Sequence, residues 1–363
     1  MIRPDARTAN ELGKTLFHQG RRDEAATAFR RAVELDPDFD EAHNNLGATL
    51  NDRHAQDDAI AAYRRAIALS PGDVAAHFNL GNALRRKGDA LAAVAAYRTA
   101  LRLRPDFADA HNGLGNALMD AGRPGEALAA FRQAIALRPD PMGHNNLATA
   151  LRKMGQPTEA LKALDQAIVL APGYALAHAN RGLVLRDLRD YDAALTSLRH
   201  ALALRPDSGP FLAQLVQLLR ELGRAHEAVA ICAEVLRRFP SHAEADGEHA
   251  ELLRTVGRID EAHAACMTAL TLQPDLPAVL NTLGNIQRDQ GNLDGALHSY
   301  RRALELEPDA IGIHSNLILT QYFATGCDAA ASWPRPGAGR NGTRLRGARN
   351  IARTPIRARS TGC

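Results

Sequence analysis

Aromatic residues are scarce in this chain: nine Phe, six Tyr and one Trp make up 4% of 363 residues. So thin a supply argues against a β-sandwich, whose core leans on aromatic and β-branched side chains. Cysteine is scarcer still. Cys232, Cys266, Cys327 and Cys363 form no CxxC pair and no disulfide framework. Cys232 and Cys266 lie 34 residues apart, which suits two small buried apolar residues in equivalent places. No apolar run approaches the ~18 residues of a membrane span. The opening MIRPDARTANELG lacks the apolar stretch of a signal peptide. The expected location is cytoplasmic, with no membrane partner. Net charge is also nearly missing, at +3. The eight arginines after Ala329, with no acid among them, more than account for that excess, so the preceding body is acidic on balance. A sequence pI near 8.8 is therefore no sign of specific nucleic-acid binding by the body of the chain.

What the chain does have is a ruler of prolines: Pro37, Pro71, Pro105, Pro139, Pro172, Pro206, Pro240, Pro274 and Pro308. Successive gaps are 34 residues, except for 33 between Pro139 and Pro172. A period of this length is the mark of a repeat solenoid. Within residues 74–107, apolar residues recur at helical spacing in two runs. Gly88 separates the runs and suits the left-handed residue that ends a helix. Pro105 stops the second run, because it lacks an N–H and disfavours a helical residue before it. The unit is helix, tight turn, helix, short loop.

Laid in register, the repeats span 6–39, 40–73, 74–107, 108–140, 141–174, 175–208, 209–242, 243–276 and 277–310, with a partial tenth at 311–325. Position 8 is small in most of them, from Gly13, Gly47, Gly81 and Gly115 to Gly284, with Val216 the exception. Position 20 is Ala in all nine full repeats, and position 24 holds a larger filler such as Phe29, Tyr63, Tyr97, Phe131 or Tyr300. Small residues at such sites let helix axes approach to the short end of the 8–10 Å range. The turn carries glycine throughout, except for His54 and Arg189 in the second and sixth repeats.

This pattern of small residue, Ala, aromatic, Ala and Pro over 34 residues resembles the tetratricopeptide repeat. The resemblance implies an all-α, right-handed α-solenoid superhelix over residues 6–325, with the first helix of each pair lining its concave side. Units of this kind bury their apolar faces only by stacking.

Two columns fall on those first helices. Position 6 carries Asn45, Asn79, Asn146, Asn180 and Asn316, but Glu11, Gly113, Gln214, Glu248 and Thr282 elsewhere. An Asn amide both donates and accepts, so a column of them can grip the backbone of an extended peptide. Layers ~10 Å apart and an extended rise of ~3.3 Å per residue give one contact per three peptide residues. Asn112 and Asn281, one position off, are expected to point elsewhere. Position 12 carries Arg85, Arg152, Arg186, Arg220, Arg254 and Arg288. These favour acidic or phosphorylated groups on a ligand; the alternative is pairing with neighbouring Asp52, Asp120, Asp187, Glu221 and Asp289. His43, His77, His111, His144, His178 and His314 share position 4. They are spread one layer apart, whereas zinc needs its ligands at about 2.0–2.1 Å, so they read as packing against the partner helix. No cofactor and no catalytic set is expected.

The runs AHNNLG, AHFNLGNAL, HNNLATAL and HSNLILTQY resemble the repeats of O-linked N-acetylglucosamine transferases and their SPINDLY-like relatives. In that family an asparagine ladder holds the protein substrate, and the carry-over reaches Asn45, Asn79, Asn146, Asn180 and Asn316. The resemblance also implies a catalytic domain after HSNLILTQY. The sequence continues instead into an arginine-rich stretch, 326–363, without apolar periodicity, which is expected to be disordered and out of frame. Its Gly337-x-Gly339-x-x-Gly342 has no strand before it and no βαβ pattern around it, so it does not read as a dinucleotide site. The expected function is a non-enzymatic scaffold for an extended polypeptide, with a truncated glycosyltransferase as the alternative. Ile311, Ile313, Leu317, Ile318, Tyr322 and Phe323 are expected to be exposed and to promote self-association.

Overall fold

In a computed structural model, residues 5–52 and 55–324 are described, and they form nineteen α-helices with no strand among them. His54, Cys327, Cys363 and the arginine-rich stretch lie outside the described residues. The helices come in pairs: α1 (Ala6–His18) and α2 (Arg22–Leu35), α3 (Asp40–Asp52) and α4 (Gln56–Leu69), α5 (Val74–Lys87) and α6 (Ala90–Leu103), α7 (Ala108–Asp120) and α8 (Pro124–Leu137), α9 (Pro141–Lys153) and α10 (Pro157–Leu170). Then follow α11 (Ala175–Asp187) and α12 (Tyr191–Leu204), α13 (Gly209–Glu221) and α14 (Ala225–Arg238), α15 (Ala243–Thr255) and α16 (Ile259–Leu272), α17 (Pro277–Asp289) and α18 (Leu293–Leu306), and finally α19 (Ile311–Ala324).

Local chemistry ends each helix. Gly88, at φ 91°, closes α5, and the N–H of Asp89 returns to the carbonyl of Leu84 across it. That is the arrangement in which a left-handed residue satisfies orphan carbonyls at a helix end. Glycine takes the same turn in six other repeats, and in the sixth Arg189 is forced to φ 63°. The carboxylates of Asp73 and Asp89 then accept from the first free N–H groups of α5 and α6.

Packing within a pair depends on one steric lock. A Cβ on Gly81 would stand 2.8 Å from the ring of Tyr97, and one on Gly115 would stand 2.4 Å from that of Phe131. Gly13 with Phe29, Gly47 with Tyr63 and Gly284 with Tyr300 repeat this. Where position 8 is larger, position 24 of the same repeat is smaller: Ala148 goes with Leu164, Ala250 with Cys266 and Val216 with Cys232, while Gly182 also goes with a smaller filler, Leu198. The exchange is incomplete in the seventh repeat, where α13 and α14 touch over far less of their length than any other pair. A branched residue at the point of closest approach holds the two helices apart. The nine position-20 alanines from Ala25 to Ala296 are fully buried between helices.

Odd-numbered helices touch their counterparts one repeat away, as α3 touches α5 and α9 touches α11; the even-numbered helices have no such contact. The first helices therefore lie on the inside of the curve. This is an α-solenoid.

Candidate peptide-binding groove

The inner helices carry both columns, and both prove to be engaged with the neighbouring repeat. Asn45 donates from Nδ2 to Oδ1 of Asn10 at 3.0 Å, and Asn79 donates to Asn44 at 3.1 Å. Asn146 donates to Asn112 at 3.0 Å, Asn180 to Asn145 at 2.7 Å and Asn316 to Asn281 at 2.9 Å. Each bond joins position 6 of one repeat to position 5 of the repeat before. Asn112 and Asn281, expected to point elsewhere, are acceptors for the column itself.

The interruptions of the column follow from this pairing. Position 6 is Asn wherever the preceding position 5 is Asn, and never otherwise. Phe78 at position 5 is followed by Gly113, whose Cβ would meet the Tyr97 ring at 2.6 Å. Ala179, Ala213 and Gly247 are followed by Gln214, Glu248 and Thr282. The buried Oε1 of Gln214 finds no hydrogen-bond partner among the described residues.

Each column Asn is half-buried and keeps one N–H and its carbonyl oxygen outside this bond. What the inner surface offers chemically is thus a broken row of amides, already oriented, in repeats two, three, five, six and ten.

The arginine column pairs one repeat ahead. Arg85 meets Asp120 at 3.3 Å, Arg186 meets Glu221 at 3.6 Å, and Arg152 meets Asp187. Arg254 bridges Glu251 at 2.9 Å and Asp289 at 3.0 Å, and these carboxylates hold its guanidinium pKa above its ordinary value. Among the described residues Arg288 pairs with its own neighbour Asp289 alone, at 3.6 Å. Arg220 forms no ion pair among the described residues; Thr255 stands where the repeats ahead of Arg85, Arg152, Arg186 and Arg254 place Asp120, Asp187, Glu221 and Asp289. Partly exposed pairs of this kind stabilise by ~0–1 kcal/mol each, so they brace the stack without closing the column to a ligand.

The position-4 histidines make a hydrogen bond in addition to the packing expected of them, which is seen where the His178 ring lies 4.3 Å from that of His200 on the partner helix. Nε2 of His43, His77, His111, His178 and His314 donates to the carbonyl of the proline six residues back, at 2.7–3.0 Å. His144 cannot, since the fourth repeat is one residue short and Arg138 occupies that place. Among the described residues no His, Cys, Asp or Glu side chains cluster as a metal site would require. Burial pushes the thiols of Cys232 and Cys266 up to about 12, which leaves them protonated and without nucleophilic character at neutral pH.

On α19 the apolar side chains divide. Ile313 is buried and Leu317 packs beside it, contrary to expectation, while Ile311 is 81% exposed, Ile318 65% and Phe323 54%.

A tetratricopeptide repeat profile matches residues 10–74, 78–141 and 145–209, together more than half of the chain. A second tetratricopeptide profile matches 185–252, and a third, of the TPR repeat, matches 284–322. Among solved structures, the chain is similar to a tetratricopeptide repeat protein from Parabacteroides merdae, with 19% identity, 68% of this chain and 98% of that one covered, and a TM-score of 0.51. It is also similar to PilF of Pseudomonas aeruginosa, with 20% identity, coverage of 60% and 97%, and a TM-score of 0.51. At these identities the likeness is one of fold. A comparison with curated proteins returned no match.

Proposed function

The chain belongs to the tetratricopeptide repeat family, and on that premise we propose that it is a non-enzymatic scaffold that holds an extended polypeptide along its inner groove. The observation that carries this reading is the state of the column amides. Five asparagines are held in one orientation by a partner one repeat back, each with an acceptor and a donor to spare. An amide whose rotamer is fixed before binding loses less entropy when it grips a peptide unit. The groove would read backbone more than side chains. The same reading takes the exposed face of α19 as a contact with a second copy of the chain.

The test separates gripping from bracing. Asn79, Asn146 and Asn180 changed together to Ala remove both roles. Asn44, Asn112 and Asn145 changed to Ala remove only the acceptors that orient them. Both variants are to be screened against arrayed peptides beside the unaltered protein. The reading expects the first set to bind far more weakly than the second at similar melting temperature. Equal binding by both sets and the unaltered protein would reject the amides as the grip.

A further inference from the structure

In repeats seven to nine the column fails, and a cavity of about 510 Å³ opens on the inner surface between α13, α15 and α17. Its origin is in the same two positions. Ala213 and Gly247 occupy position 5, so the side chains that elsewhere fill this layer and receive the column hydrogen bond are gone. Its volume falls within the ~300–1,000 Å³ of ordinary ligand sites.

We infer that this cavity receives one cationic side chain, Lys or Arg, from the polypeptide in the groove, with Glu248 as its counter-ion. The inference rests on the groove reading above and names the partner's chemistry. Charge decides the sign. Glu251, in the wall, is neutralised by Arg254 at 2.9 Å. The remaining lining charges are Glu244 and Glu248 against Arg220, and none of the three forms an ion pair among the described residues. One negative charge is therefore left over. Glu248 stands at position 6, half-buried and without a hydrogen bond among the described residues, where six of the other repeats hold a neutral Asn or Gln amide. Burial raises the Glu248 carboxyl above its ordinary value against a smaller opposing pull from Arg220, so its negative charge is only partly offset and a further cation would stabilise it. The polar neighbours on α17 point to the same orientation of ligand. Oδ1 of Asn281 already accepts from Asn316, and Oδ1 of Asn285 accepts from Tyr300. Both amides also still offer N–H, suited to peptide carbonyls beside the inserted side chain.

The experiment uses short neutral peptides of Ala, Gly, Ser and Asn with Arg, Lys, citrulline or Glu at the centre, dye-labelled, with fluorescence anisotropy as readout. The Arg and Lys peptides are expected to bind at least about tenfold more tightly than the citrulline peptide. Glu248→Gln is expected to abolish the preference for the Arg and Lys peptides over the citrulline peptide. Binding of all four peptides with one affinity, or tightest binding of the Glu peptide, overturns the inference and leaves the groove reading standing. Binding of none overturns the groove reading and this inference with it. The peptide series on the unaltered protein decides the matter even if the variant fails to fold.

Discussion

Asn79 on α5 and Asn44 on α3 are joined by a single amide hydrogen bond of 3.1 Å that spans two repeats. Four equivalent bonds recur along the inner surface, so repeat stacking has a polar component beside the apolar one. A half-buried neutral bond of this type contributes ~1 kcal/mol, more than most of the ion pairs beside it. In a double-mutant cycle, Asn44→Ala and Asn79→Ala are expected to show a coupling of ~1 kcal/mol in urea unfolding. Additive losses would show that the pair contributes no coupling.

The lock between positions 8 and 24 predicts a paired effect. Gly81→Ala drives a methyl group to within 2.8 Å of the Tyr97 ring and is expected to cost ~1–3 kcal/mol. Adding Tyr97→Leu, the filler that Ala148 already faces as Leu164, is expected to restore part of that loss. Thermal melting of the single and double variants checks it; a double variant no better than the sum of both changes refutes the lock.

Arg189 sits at φ 63° where seven other repeats have glycine. A left-handed conformation costs a Cβ-bearing residue roughly 1 kcal/mol. Arg189→Gly is expected to raise the melting temperature, in contrast to most glycine substitutions.

Asp246 occupies the position at which other repeats place a proline-binding histidine. It is 7% exposed, and its Oδ2 has no hydrogen-bond partner among the described residues. Burial raises its carboxyl above the ordinary value, against a smaller opposing pull from His242. A folded-state pKa above the unfolded one means that the folded chain holds the proton more tightly. Stability attributable to Asp246 therefore falls as pH rises through the unfolded and folded values, and the penalty is complete above the folded one. Asp246→Asn is expected to raise the melting temperature at pH 7, with the gain shrinking as the pH approaches 3. A gain that is constant with pH would dissociate it from this carboxyl.

The exposed face of α19 predicts concentration-dependent association. Light scattering is expected to show a dimer that Ile318→Asp, at a 65% exposed site, returns to monomer. A monomer at high concentration in the unaltered protein counts against a second copy on this face.

Much of this fold is legible in the sequence because its rules are local. Gly88 ends a helix and Pro105 follows one for reasons held within a few residues of each. The glycine column, too, announces close helix approach by itself. The inner surface is less legible. Position 6 read as a lone column shows asparagines with gaps; the reason for the gaps lies in position 5, 34 or 35 residues earlier, where Asn112 and Asn281 seem misplaced until the layers are stacked. The histidine bonds to Pro37 and its counterparts are hidden in the same way, since six residues along the chain give no direction in space. Val216 signals an irregular repeat, but how far α13 and α14 separate depends on every neighbour of Cys232.

The coupling of position 5 to the next position 6 has a consequence for how such a chain can be rearranged. Its units are not interchangeable parts. The third repeat, with Phe78 at position 5 and the Tyr97 ring beside the junction, is followed by one with glycine at position 6, Gly113; the second, with Asn44, is followed by one with Asn79 there. A repeat transplanted, duplicated or deleted leaves two junctions to match, each obeying a rule of adjacency. Recombination along this chain is thus grammatical: it tolerates new orders only where the neighbouring letters agree.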